Sequence, residues 1–311
     1  MSIDKWLGLG QTALELGLVN GLTVLALFLS YSMLNVCDLS TDGCFTLGAA
    51  VGTLTALAGY PLLSLPAAML AGSVSGFVTA ALQTRMGVQS LLAGIVVNTA
   101  IYSLNMAMTG NRSTLSLIKA PTVFSMARDA LKGTPLAGQY ALLVLLAAAA
   151  LAAVFLCLFL RTRLGLAIRA TGSNADMVRS SSINPAFTTT VGLCLSNALT
   201  GLSGCLMAQQ QKSFDVNMGQ GMVTVALASL LIGGVFFGKN RSIPLRAAGT
   251  LLGAFLFRLV YMLALRLNMP AFMLKAVSAA IVVIAISGPY LKSQIPVLIR
   301  RGRAAGKGGT A

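Results

Sequence analysis

Long apolar segments separated by short polar stretches constrain this chain more than any other feature. A helix that crosses a bilayer needs about 20 apolar residues. Segments of about that length follow one another at residues 9–36, 44–59, 62–82, 89–108, 139–160, 186–208, 221–237, 245–265 and 271–291. Only 9% of the residues are charged, and the mean hydropathy is +0.84. So little polar surface cannot cover a soluble globule. We therefore predict an all-α polytopic transmembrane bundle with about 8–9 membrane segments.

The basic residues predict the orientation of the bundle. The net charge is +15, but Lys and Arg lie between apolar segments and at the C-terminus, so membrane topology explains them better than nucleic-acid binding. Placing residues 161–185 in the cytoplasm also puts there the turn at Arg85, the turn with Lys239, Arg241 and Arg246, and the C-terminal tail. That side then collects 13 of the 22 basic residues, whereas the outside, with the polar connections 109–138 and 209–220, collects seven. Strict alternation then puts the N-terminus outside, unless the short segment 44–59 is re-entrant. Residues 1–291 form one predicted membrane domain, and the basic tail 292–311 is expected to be disordered and cytoplasmic.

Two polar, Gly-containing interruptions occupy corresponding places in the two halves of the chain. Residues 38–43 precede the short segment 44–59, and residues 215–221 precede the short segment 221–237. Such paired interruptions predict two pseudo-repeated halves and mark a transporter's substrate path, since irregular backbone at membrane depth is tolerated where it lines a cavity or is buried in protein. The alternative is two ordinary loops.

Two charged residues lie within apolar segments, Arg258 and Lys275. An intramembrane charge usually faces the bundle interior or water. Either residue could bind a substrate carboxylate or pair with an acid such as Asp215. The alternative is snorkelling towards the membrane surface, which we favour for Lys275 because it is near a segment end.

Small residues recur every three or four positions in several segments, which predicts close helix packing. The pairs are Gly48 and Gly52, Gly72 and Gly76, Gly201 and Gly204, and Gly249 and Gly253.

The stretch 161–185 is the longest polar passage between apolar segments. It carries four arginines against the single acid Asp176. Thr171, Ser173 and Asn174 are suitable helix N-caps for a short helix over residues 175–178, and Pro185 is placed to begin the next span. A short helix held between two spans can dock on a soluble partner and transmit motion. The alternative is an ordinary basic loop.

Several chemistries are excluded by what the sequence lacks. The run 233–240 nearly matches a phosphate-binding loop, but its last position is Asn240 and it ends an apolar segment instead of joining a strand to a helix. The chain has no histidine, and its five cysteines have no metal-ligand spacing. We therefore expect no covalent catalysis, no metal and no bound nucleotide in this chain.

Four motifs, in their order along the chain, resemble those of the permease subunits of bacterial ABC importers of the branched-chain amino acid/ribose type. They are the stretch from Asn20-Gly21 to Phe45-Thr46-Leu47-Gly48-Ala49, then Leu91-Leu92-Ala93-Gly94 with Asn98-Thr99, then the polar stretch ending in Ile183-Asn184, and the run 226–234 with Gly238. The details are most similar to a less characterised branch, some of whose members are thought to carry aromatic amino acids.

The resemblance implies an importer subunit of the bacterial inner membrane that forms the path for a small polar solute, most simply an amino acid. It implies a second permease copy, surrounding lipid, a cytoplasmic ATPase that holds ATP and Mg²⁺, and an extracytoplasmic substrate-binding protein. The residues it implies for ATPase coupling are Gly165, Arg169, Ala170, Gly172, Asn174, Ile183 and Asn184. Our candidates for the translocation path are Asp38, Ser40, Phe45, Asn98, Asp215 and Arg258.

The chain also departs from this pattern. The family usually has Gly before the Ile-Asn pair, where this chain has Ser182, and an Ala-rich helix where this chain has Met177-Val178-Arg179. Two other functions stay open from the residues alone: an ion-coupled carrier and a non-transporting scaffold. An ion-coupled carrier would need acids or histidines inside the spans, and only Glu15 among the seven acids lies clearly within one.

Overall fold

The computed structural model describes residues 3–133, 138–237 and 242–266, together with residues 273, 276, 279–283 and 287. The first half contains helices α1 (Ile3–Leu27, continued by a π-helical turn Phe28–Met33), α2 (Thr41–Leu57), α3 (Ser64–Thr84), α4 (Ser90–Met108) and α5 (Val123–Ala130), with strand β1 (Thr114–Ser116) before α5. The second half contains α6 (Tyr140–Phe159), α7 (Arg163–Ser173), α8 (Ala175–Ser180), α9 (Pro185–Gln211), strand β2 (Ser213–Asp215), α10 (Met222–Phe237) and α11 (Ile243–Arg266).

The predicted helical membrane bundle is confirmed. Within the described part of the chain, six helices are long and apolar enough to cross a bilayer: α1, α3, α4, α6, α9 and α11. Helices α2 and α10, with 17 and 16 residues, are shorter. The count of 8–9 segments remains a prediction. Segment 271–291 is described only at scattered residues, while Lys275 and the tail lie outside the described part.

Helix α9 lies at the centre of the bundle, and small residues allow α2 and α3 to approach it closely. A side-chain carbon on Gly48 would collide with the backbone of Gly201, and one on Gly204 would collide with the carbonyl of Phe45. On α3, Gly72 lies against the carbonyl of Asn197 in the same way. The packing role predicted for the glycine pairs is therefore confirmed here, and it explains how polar groups of neighbouring helices come within hydrogen-bonding distance.

Helices α10 and α11 form a second close pair beside α1. Gly233 lies against the backbone of Gly249, and Gly253 lies against the carbonyl of Ser229. By contrast, Gly234, next to Gly233, has no atom within 4 Å of the position where its side chain would be. Gly233 and Gly234 both lie inside α10, and Gly233 allows the close packing of α10 on α11.

A two-stranded antiparallel sheet lies at one end of the bundle. Strand β1 pairs with β2, with Leu115 opposite Phe214, and the side chain of Gln209 accepts a hydrogen bond from the backbone N–H of Val123 at 2.9 Å. The connections that contain β1 and β2 therefore meet at one end of the bundle, as the predicted outside location of both requires. On α5, the Lys132 ammonium lies 2.7 Å from the Asp129 carboxylate and lowers the pKa of that exposed acid through a hydrogen bond and charge attraction.

Candidate functional site

The first interruption is a buried hydrogen-bonded turn between α1 and α2. The Asp38 carboxylate accepts from the backbone N–H and hydroxyl of Ser40, at 2.8 and 2.6 Å, and from the side-chain amide of Asn197 on α9 at 2.8 Å. Thr79 on α3 donates to the Ser40 hydroxyl at 3.2 Å. Asp38, Ser40, Thr79 and Asn197 are each at most 1% exposed. This network fixes the start of α2 against two other helices.

The second interruption has a different environment. Among the described residues, the Asp215 carboxylate accepts one hydrogen bond, from the nearby backbone N–H of Asn217 at 2.7 Å. The residue is half-buried at the end of β2. The chain then turns at Gly221, whose φ of 82° favours glycine, before α10 begins.

The two interruptions meet at Asp42. One oxygen of its carboxylate accepts from the backbone N–H of Val223 at 2.7 Å, and the other accepts from Gly221 at 2.9 Å. Asp42 belongs to the first turn of α2, and its acceptors bind the N–H groups that begin α10. An acid at a helix N-terminus satisfies donors that the helix leaves unpaired and interacts favourably with its dipole. Asp42 thereby joins the starts of the two short helices.

A polar cavity of about 260 Å³ lies beside this junction. Its lining comes from the start of α2, from the second interruption and from one face of α4. The lining residues are Asp42, Gly43, Thr46, Asn98, Thr99, Tyr102, Asn105, Val216 and Gln220. Another cavity, of about 550 Å³, lies near the turn between α2 and α3 and is lined by apolar residues and by glycine and proline. The first is the better candidate for a polar solute because it brings amide, hydroxyl and carboxylate groups together.

The structure places the candidate path residues in different surroundings. Asn98 lines the polar cavity. Asp38 and Ser40 are buried in the hydrogen-bond network of the turn before α2. Phe45 is fully buried against Gly204. Asp215 lies just before the cavity residue Val216. None of the path assignments is tested by these positions, and they stay predictions.

Arg258 is separate from this cavity. It is 9% exposed on α11, where the side-chain oxygen of Asn20 on α1 accepts from its Nε and Nη2 atoms. Its guanidinium carbon lies 5.3 Å from the centre of the Tyr261 ring. A buried guanidinium with an amide and an aromatic partner needs no snorkelling to the surface. In this conformation it links α1 to α11, and neither Asp215 nor the cavity is its partner.

The stretch 161–185 contains two helices where one was expected. The predicted short helix is present as α8, capped by the Asn174 side chain, which accepts from the N–H of Met177 at 3.0 Å. The expectation that Thr171 and Ser173 are caps was wrong, because both lie in the last turn of the additional helix α7. Pro185 begins α9 as predicted.

Helix α7 packs directly on the end of α1. A side-chain carbon on Gly172 would collide with the backbone of Met33 and Leu34. The hydroxyls of Thr171 and Thr188 lie 2.8 Å apart and tie α7 to α9. Residues 34–37 lead from this contact to Asp38, including Asn35 in the left-handed region at φ 58°. The polar stretch is therefore in contact with the segment that begins at the π-helical turn and ends at the cavity.

The seven residues implied for ATPase coupling have three kinds of surroundings. Gly165 and Gly172 pack on the bundle itself, while Asn174 and Asn184 cap α8 and α9. The others are Arg169, which is half-buried, and the exposed Ala170 and Ile183. Exposed apolar side chains that sequence reasoning did not select are Leu166 at 53% and Met177 at 67%. Contact of any of these residues with an ATPase stays a prediction.

Sequence reasoning also missed most of the cavity. Asp42 and Gln220 lie inside the two interruptions, but nothing in the sequence distinguished Asp42 from Asp38. Asn98, Tyr102 and Asn105 are spaced by four and three positions, which places them on one face of α4. That polar stripe on an otherwise apolar helix was a signal that could have identified this wall of the cavity.

The helical bundle, with two interruptions that meet beside a polar cavity, has the architecture of a membrane permease. Residues 12–286 match the family of branched-chain amino acid transport system permease components. The chain is similar to the tyrosine transport system permease protein of Clostridioides difficile, with 32% identity over 86% of each protein. It is also 31% identical to an uncharacterised protein of Rickettsia prowazekii, over 74% of this chain and 78% of the relative. No protein of solved structure matches the chain significantly.

The chain belongs to this permease family. It is a multi-pass inner-membrane subunit of an ABC importer for amino acids. The resemblance drawn from the sequence motifs is confirmed by the match over most of the chain.

Proposed function

We propose that this permease carries an aromatic amino acid, with tyrosine as the first candidate, and that the polar cavity at Asp42 lies on its path. The observation that supports the path is the meeting of the two interruptions: residues 38–43 and 215–221 contact each other beside a cavity with polar walls. Paired broken helices that meet at a cavity are the usual architecture of a transporter's binding region. The tyrosine permease relative supports the choice of solute.

ATP binding and Mg²⁺ are assigned to a separate ATPase, and solute delivery to an extracytoplasmic binding protein. A second permease copy and the surrounding lipid complete the membrane part of the assembly. The ATPase would contact α7, α8 and the exposed residues near Ile183. Because Gly172 packs on Met33 and Leu34, a displacement of α7 would reach Asp38 through four intervening residues, 34–37. Coupling then consists of the ATPase favouring one of two positions of this segment.

The transport proposal is tested with the complete importer in proteoliposomes. We expect ATP-dependent accumulation of radiolabelled tyrosine when the ATPase is enclosed and the loaded binding protein is outside. The solute panel includes phenylalanine, tryptophan, leucine and ribose. Uptake of leucine with exclusion of all aromatic amino acids would reject the aromatic assignment. Tyrosine uptake without ATP, driven by an ion gradient, would contradict the ATPase assignment.

The docking surface is tested by substituting Met177 with aspartate. A charge in an apolar contact is costly to desolvate, so we expect the tagged permease to lose co-purification with its ATPase while still inserting in the membrane. Met86 gives a matched control, because it is also exposed, at 72%, in another turn assigned to the cytoplasm. Met86→Asp should retain the ATPase. Equal co-purification of both variants would place the docking surface elsewhere.

A further inference from the structure

Asn105 is the most unusual residue in the cavity wall. It is 0% exposed, it lines the polar cavity, and neither its side-chain oxygen nor its side-chain nitrogen has a hydrogen-bond partner. Buried amides almost always pair both atoms, and leaving them unpaired destabilises a protein. Its neighbours on α4 are mainly apolar, so an apolar side chain would be the more stable choice at this position. An unpaired buried amide that also lines a cavity indicates a group whose partner arrives with a ligand.

The chemistry of the wall narrows what that ligand carries. A primary amide presents a donor and an acceptor side by side. The cavity lining includes the Asp42 carboxylate and the amides of Asn98 and Gln220, and no Lys or Arg among the residues that the structure describes. A solute carboxylate would therefore accept hydrogen bonds from uncharged donors. A solute ammonium would be attracted to the Asp42 carboxylate.

We propose that Asn105 is a solute-binding residue that recognises the zwitterionic head group shared by amino acids. Its side-chain N–H donates to the solute carboxylate, and its side-chain oxygen accepts from the ammonium, which Asp42 also attracts. This assignment rests on the proposed function, since it deepens the role of the same cavity. It concerns the head group, so it applies to whichever amino acid the importer carries.

The test replaces Asn105 with leucine, which has nearly the same shape and no polar atoms. If Asn105 serves binding, its replacement should leave the stability of the protein unchanged and reduce transport. We expect the thermal unfolding temperature of the detergent-solubilised importer to stay equal or rise. The maximal uptake rate of tyrosine, at saturating loaded binding protein, should fall at least about tenfold, the effect of losing one or two hydrogen bonds. If Asn105→Leu does not assemble, Asn105→Ala is judged by the same two measurements.

Thr53 supplies the matched control. Its hydroxyl on α2 is also fully buried and unpartnered, but Thr53 does not line the cavity. Thr53→Val should likewise preserve or raise the unfolding temperature while uptake stays within about twofold of the wild type, because only an unpaired buried hydroxyl is lost.

The outcomes separate the two proposals. Normal amino-acid uptake by a stable Asn105→Leu variant overturns the binding role and leaves the transport function intact. A loss confined to solutes with a side-chain hydroxyl, such as tyrosine but not phenylalanine, overturns the head-group assignment. If the wild-type importer carries no amino acid, the proposed function fails and the head-group proposal falls with it.

Discussion

The two polar interruptions occupy corresponding places in the sequence, yet their acids have opposite environments. Asp38 is fully buried and binds groups on two residues, including Asn197 on the central helix α9. Asp215 is half-buried and accepts only a local hydrogen bond from Asn217 among those resolved. The first interruption thus stabilises the bundle, whereas the second supplies a turn that the first one caps through Asp42. Similar sequence patterns in the two halves therefore do not imply equal contributions to stability.

The largest expected effect comes from removing the buried acid. Asp38→Ala leaves the N–H of Ser40 and the amide of Asn197 without their shared acceptor. We expect the free energy of unfolding to fall by about 4 kcal/mol, because hydrogen bonds to a charged acceptor are lost and their buried donors stay unpaired. Unfolding in detergent by denaturant measures this change. Asp215→Ala is the paired variant of the second interruption and should lose less than about 1 kcal/mol; similar losses for both would contradict the comparison.

The junction between the interruptions gives the next largest effect. Asp42→Ala removes the acceptor of two backbone N–H groups, at Gly221 and Val223. We expect a loss of about 3 kcal/mol, in line with hydrogen bonds to a charged group, together with strongly reduced solute uptake. Asp42→Asn keeps one acceptor oxygen and should fall between this variant and the wild type. Unfolding curves for the three proteins, with insertion checked by membrane fractionation, show whether that order holds.

Helix packing in the second half is tested by two neighbouring glycines. Gly233→Ala forces α10 away from the backbone of Gly249, and overpacking of this kind costs about 2 kcal/mol. Gly234→Ala has free space and should be neutral or slightly stabilising, because alanine favours the helix. Thermal unfolding of both variants measures the difference. Equal stability of the two variants would show that α10 and α11 do not depend on the close contact at Gly233.

The smallest effect is expected in the polar stretch 161–185, where Ser182 has a φ of 60°. Glycine adopts this left-handed conformation without the steric cost that serine meets. This is a physical reason for the glycine that the family usually has there. Ser182→Gly should raise the free energy of unfolding by about 0.5–1 kcal/mol, measured under the same conditions as the variants above. Destabilisation would show that the serine hydroxyl makes a contribution larger than this strain.

The alternation of apolar and polar segments predicted the long helices closely, while the short helices α5 and α7 were missed. The starts of α9 at Pro185 and of α10 after Gly221 follow from local residue types, since proline and glycine act within one turn. Helix α7 escaped prediction because its stability depends on contacts outside itself. Ile168 is fully buried and Gly172 packs on Met33 and Leu34, and neither contact is visible in a short polar stretch.

The sequence by itself determined the membrane bundle, the family and the existence of two interruptions, because hydropathy, turn residues and motif order are local properties of the chain. Only the tertiary structure decided that Asp42 joins the interruptions, since its partners Gly221 and Val223 lie about 180 positions away. It likewise decided that Asn98 and Asn105 line a cavity while Arg258 binds Asn20 on another helix. Helix rotation sets which polar residue faces a cavity and which faces a neighbour, and rotation depends on packing against helices remote in sequence.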